Sequence, residues 1–114
     1  MSEIQGIGRF KFHEGKVDEF KRLSAQVMDI VRAKDTGTLQ YEIYFNDDQS
    51  EAIVLERYRD SAATIEHGSH LGDVGQAILA TGLASSELLG EPSDELRGLL
   101  ASSPVRLFTP FLSL

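Results

Sequence analysis

The hydrophobic period of the chain switches from two residues to 3.6 and back, and this switching restricts its fold more than any other feature. In "IQGIGRFKF", residues 4–12, Gly6, Gly8, Phe10 and Phe12 share one face, and Ile7, Arg9 and Lys11 share the other. That is a strand whose two glycines leave room for a packed helix or a ligand. The next stretch, "HEGKVDEFKRLSAQVMDIVRAK", places Val17, Phe20, Val27, Ile30 and Val31 in a stripe at helical spacing, extended by Ser24 and Met28. Asp18 and Glu19 at its start and Arg32 and Lys34 at its end suit the helix dipole. The spacing predicts a helix from about Lys16 to Lys34, with Gly37 of "DTG" free to adopt a left-handed stop.

Alternation returns in "TLQYEIYF" and "EAIVLERY", joined by the polar "NDDQS", which reads as an antiparallel hairpin. In the second of these strands Val54, Glu56 and Tyr58 share a face, opposite Ile53, Leu55 and Arg57. "DSAATIEH" reads as a short helix with Asp60 as N-cap and Gly68 as stop. "DVGQAILATGLASS" reads as a restarted helix, its Asp73 and Gln76 at capping-box spacing. Leu71, Val74, Ile78 and Gly82 keep one face of it. "GEPSDELRGLLASS" carries a third helix start at Pro92–Ser93. "PVRLFTPF" closes with an alternating segment, Val105, Leu107 and Phe111 on one side, and its prolines suit an edge strand. The order β-α-β-β-α(α,α)-β predicts an α+β, ferredoxin-like sandwich: one antiparallel sheet with helices on one face. The uncovered face also carries Ile and Leu, which marks an association surface.

A length of 114 residues fits one domain over 1–114, and no run approaches the ~18 apolar residues of a membrane helix. The opening "MSEIQGIGRF" has no basic end followed by an apolar core, so no signal peptide is expected. With no cysteine there are no disulfides, thiolate metal sites or cysteine nucleophiles, and a cytoplasmic location is the default. A formal net charge of −7 with scattered Lys and Arg argues against a nucleic-acid partner.

Glu14-Gly15-Lys16, then Gly37, Leu39 and Tyr41-Glu42, then Leu55-Glu56-Arg57 and His67 follow one another in an order and spacing that resembles the antibiotic biosynthesis monooxygenase family of dimeric α/β barrels. The resemblance is best over 4–71; residues 72–103 read as a helical insertion and 104–114 as the last strand and a tail. It implies a homodimer through the sheet face, and a pocket in each subunit between its own sheet and helices. Members include cofactor-free monooxygenases of quinols and polycyclic phenols. Haem-degrading relatives use a first-strand Asn, a Trp after Glu-Arg and a His ligand. Here the first strand has no Asn, and Tyr58 stands in the place of the Trp.

"YRDSAATIEHGSH" holds two of the three histidines, His67 and His70. They are too few for a zinc site, so no metal is expected. In the family position, His67 is the candidate catalytic base, able to take a phenolic proton. Tyr58 is the candidate pocket wall and Glu56 the orienting carboxylate. Tyr41, His70 and Gly8 are candidate substrate-binding residues. The resemblance implies no cofactor and a small aromatic or quinol ligand. The other readings left open are a non-enzymatic small-molecule-binding or stress-response barrel and, behind it, a haem binder.

Overall fold

The computed structural model describes residues 2–114, so residue 1 of the expected domain lies outside it. The element order is β1 (Ile4–Phe12), α1 (Val17–Lys34), β2 (Thr38–Phe45), β3 (Glu51–Tyr58), α2 (Ser61–Leu79), β4 (Gly82–Leu89), α3 (Asp94–Leu100) and β5 (Arg106–Phe108). The sheet order is β2-β3-β1-β4-β5. Every pairing is antiparallel except that of β5, which runs parallel to β4 at the edge. This is the expected α+β, ferredoxin-like sandwich, with one change in where its fourth main strand comes from.

That strand is β4. "GLASSELL" was expected to continue a helical insertion, and instead it lies along the whole of β1, from Gly82 opposite Phe12 to Leu89 opposite Gln5. Its Ala, Ser and Leu content carries no β-branched residue, so local propensity points away from a strand. The free hydrogen-bonding edge of β1 overrides that preference. Gly82 makes the pairing possible, since a Cβ there would lie 2.3 Å from the Lys11 carbonyl oxygen. The segment expected as the main last strand contributes only the three residues of β5.

The helices also depart from expectation in detail. Asp60 caps α2, its carboxylate accepting from the Ala63 N–H at 2.8 Å. The helix does not stop at Gly68; it runs on to a kink at Gly72, where φ is +47°. α1 ends as predicted, but Gly37 is not left-handed. Its role is close approach: a Cβ there would come within 2.5 Å of the Ala63 Cβ. Ser93 caps α3, accepting from the Leu96 N–H.

The apolar face of the sheet meets the helices in two separate clusters. At one end Phe10, Phe20, Ala52 and Val54 pack together, with Phe12 and Phe45 against them. Phe20 sits 5.0 Å from the Phe10 ring and 4.8 Å from the Phe12 ring, centroid to centroid. At the other end Ile4, Tyr58, Ala63 and Leu96 form a second cluster, so α3 closes that end. Among the described residues no helix is long and apolar enough to cross a membrane.

Candidate functional site

A cavity of about 430 Å³ lies between the sheet and helices α1 and α2. Phe10, Phe20, Val27, Val54 and Ile78 give it largely apolar walls, and Gly8 forms part of its floor. Glycines 68, 72 and 75 of α2 also line it, so this wall is thin. Such a volume is that of a small-molecule site. A hollow of about 510 Å³ on the opposite, open sheet face is lined by Arg9, Tyr44, Ile53 and Leu83 and lacks the polar cluster described next.

That cluster is built where the C-terminus of α1 meets α2. Asp35 follows the last residue of α1, and its side chain is only 1% exposed. Its Oδ2 accepts from the Thr38 hydroxyl at 2.7 Å and pairs with His67 Nδ1 at 2.7 Å; its Oδ1 pairs with His70 Nδ1 at 2.7 Å. The loop is pinned from α2 as well, because Glu66 accepts from the Thr36 N–H at 2.8 Å. Burial pushes the Asp35 carboxyl up, but the hydrogen bonds from Thr38, His70 and His67 outweigh it and hold the group below the usual carboxylate range. An ionised Asp35 requires Nδ1–H on both rings, which leaves Nε2 of a neutral His67 with a lone pair.

His67 is buried and lines the cavity. Its Nε2 lies 3.7 Å from Glu56 Oε1, and Glu56 accepts a hydrogen bond from the Tyr58 hydroxyl. Burial pushes the Glu56 carboxyl up, against the opposing effects of the Tyr58 bond and the nearby His67. Tyr41 also lines the cavity, its ring 5.6 Å from that of His67. Burial, with Glu56 and Asp35 nearby, pushes its phenol above the usual range, so it remains a neutral hydroxyl. The line Asp35–His67–Glu56–Tyr58 therefore sets an imidazole and a carboxyl that holds its proton more tightly than usual side by side at an apolar cavity. This is an arrangement suited to moving protons on a bound organic molecule.

Of the residues singled out in the sequence, His67, Glu56, Tyr41 and Gly8 line the cavity. Tyr58 does not. It is 2% exposed and sits in the second core cluster, so it supports Glu56 from behind and cannot serve as a ligand-stacking wall. His70 is not a lining residue either; its Nδ1 is tied to Asp35. Asp35 was not anticipated. In sequence it reads only as the turn after a helix, and its partners lie 32 and 35 residues away. Among the described residues no group of three or more His, Asp or Glu side chains is placed to hold a metal ion.

The antibiotic biosynthesis monooxygenase family model matches residues 6–71, more than half of the chain and the span that contains Asp35, Tyr41, Glu56 and His67. The chain belongs to the antibiotic biosynthesis monooxygenase family. No curated protein sequence matches it. Among solved structures, MupZ from Pseudomonas fluorescens is similar over 98% of this chain and 88% of its own, with a TM-score of 0.83 at 20% identity. SnoaB, a cofactor-independent oxygenase from Streptomyces nogalater, is similar over 77% of this chain and 91% of its own, with a TM-score of 0.67 at 18% identity. Rv0793 from Mycobacterium tuberculosis is similar over 81% and 96%, with a TM-score of 0.68 at 24% identity. These likenesses establish the shared fold. The near-complete overlap with MupZ extends it beyond the 6–71 family span.

Glu56 gives the site a testable pH signature. A carboxyl raised in the folded state stabilises the protein fully below its unfolded value, and that contribution is lost as pH rises through the folded value. Glu56→Gln removes the ionisation. The Tm of the variant minus that of the wild type should therefore increase as pH is raised from about 4.3, the ordinary Glu value, and level off once Glu56 is ionised. Thermal melts between acid and neutral pH read this directly, and a difference that is flat with pH contradicts the assignment.

Proposed function

We propose that this family member is a cofactor-free monooxygenase of a quinol or polycyclic phenol, with His67 as the base. The observation that carries the reading is His67, which lines a largely apolar cavity while Asp35 holds its Nδ1 at 2.7 Å and leaves Nε2 beside Glu56. SnoaB, a cofactor-independent oxygenase of similar fold, supports the same chemistry. Removal of a phenolic proton makes an electron-rich phenolate, which can pass an electron to O2 and then bond to it. A quinol supplies all four electrons itself: quinol and O2 give a hydroxyquinone and water, so the balance needs no external reductant. The proton on His67 returns to the peroxide oxygen that leaves as water, and Glu56 beside it supplies a second acidic group. We place this work in the cytoplasm, a location with which a chain lacking cysteine is compatible.

The test is aerobic incubation of metal-free protein with a panel of quinols and polycyclic phenols, following O2 uptake and product mass. Turnover above background that falls at least 100-fold in His67→Ala is expected. A panel without turnover, or a His67→Ala protein indistinguishable from wild type, overturns the reading in favour of a non-enzymatic small-molecule-binding barrel.

A further inference from the structure

We infer that Tyr41 is a further catalytic residue, whose hydroxyl donates a hydrogen bond to the substrate oxygen that His67 deprotonates, so that this oxygen sits between a base and a donor. The inference rests on the proposed function and deepens it, since it assigns the group that stabilises the negative charge left on the substrate.

Tyr41 reaches the site from the sheet, while His67 comes from the helix packed on it. On β2 it stands directly opposite Glu56 of β3, and both line the cavity. Direct cross-strand partners have Cβ atoms about 4.5–5.5 Å apart. The Tyr41 ring centroid is 5.6 Å from that of His67, and its phenol feels the charges of both Glu56 and Asp35. The hydroxyl therefore lies among the groups that flank the imidazole.

The acceptors around this hydroxyl are already engaged. Asp35 pairs with Thr38, His67 and His70, and Glu56 accepts from the Tyr58 hydroxyl. The Tyr41 Oη bonds to no described residue, yet it is not sealed; among the described residues Ser24 Oγ is the one sealed side-chain polar atom without a partner. Its neighbours Asp35 and His67 are buried, so the open side of the hydroxyl is the cavity side. A phenylalanine would pack against the Phe10–Val54 cluster equally well, as Phe12 and Phe45 do, so fold stability does not account for the hydroxyl.

The proposed chemistry needs such a donor. When the phenolic O–H bond breaks, the proton goes to His67 Nε2 and the electron pair stays on the substrate oxygen. That oxygen is then an anion in a largely apolar cavity near the ionised Asp35, a costly placement without a donor. Burial and the neighbouring carboxyls push the Tyr41 phenol up, so it keeps its proton and donates to the anion instead of competing with it for the base.

2-Naphthol and naphthalene differ by one hydroxyl and both fluoresce, so titrating each into the full chain under nitrogen isolates the contact. Tyr41→Phe is expected to weaken 2-naphthol binding about 3- to 10-fold, leave that of naphthalene within about twofold, and keep the wild-type Tm. Bound 2-naphthol should also ionise about 0.5 to 1 pH unit higher in the variant, read from its absorbance, because the anion loses more than the neutral phenol does. An unchanged 2-naphthol affinity, an equal loss for naphthalene, an unshifted ionisation, or no binding of either probe would each overturn the inference. Neither measurement needs oxygen or turnover, so a Tyr41-dependent signal beside a silent quinol panel would sink only the monooxygenase reading.

Discussion

Asp35→Asn is expected to lower the turnover of a competent quinol by about 10²- to 10⁴-fold while changing KM little. Asp35 does not line the cavity; in the proposed reaction it would act through His67, as a positioning residue. Its carboxylate fixes the Nδ1–H tautomer and supports the imidazolium formed when Nε2 takes a proton. An asparagine can present its NH2 group to one of the two rings, which favours the wrong tautomer, and it offers no charge to the imidazolium. The loss should therefore appear in kcat, with a displaced pH profile. The variant should also lose about 1.5–3 kcal/mol of stability with the charge-assisted bonds to the buried carboxylate. His70→Ala is the control: it removes one Asp35 contact and leaves the His67 pair intact, so its kcat should fall less than tenfold. A kcat for Asp35→Asn within about threefold of wild type would show that the dyad does not drive the chemistry.

The contrast between Asp35 and its neighbours marks how far the sequence could be read. Periodicity identified α1 and the β2–β3 hairpin because each buries one face and leaves the other in water, and that asymmetry is written into the residue order. It also placed Glu56 and Tyr58 on the inward face of β3. It could not tell their depth, because Tyr58 is enclosed by Ile4, Ala63 and Leu96, residues distant in sequence. Asp35 has no local signature at all, since an acidic residue after a basic helix end is ordinary turn chemistry. It becomes a site only when Ala63 packs on Gly37 and brings His67 and His70 across it. β4 was lost for a related reason: "GLASSELL" has helix-tolerant residues, and its strand identity comes from the edge of β1.

Leu55→Lys should convert a homodimer into monomers that remain folded. We expect the dimer because the helices cover only one face of the sheet, and the other presents Ile7, Leu55 and Ile53 at its centre, with Tyr44 and the 69% exposed Leu83 around them. Ile7 and Leu55 are direct cross-strand partners, so a second sheet laid on this face would bury them together. The tail beyond β5 adds Phe111 and Leu112, 91% and 83% exposed, side chains that a neighbouring subunit would cover. An interface of ~800 Å² per partner, at roughly 25 cal/mol per Å² of apolar surface, supplies a driving force well above the cost of association. The net charge of −7 opposes pairing, but salt screens it beyond ~8 Å at physiological ionic strength. A lysine at position 55 would strand an ammonium group in the middle of that surface, where desolvation outweighs the remaining apolar gain. Because Leu55 points away from both core clusters, the monomer should keep its secondary structure and the cavity between sheet and helices. Light scattering of wild type at micromolar concentration decides the first half, and a monomer mass there defeats the prediction. The second half fails if the Leu55→Lys protein is still a dimer or has lost its circular dichroism.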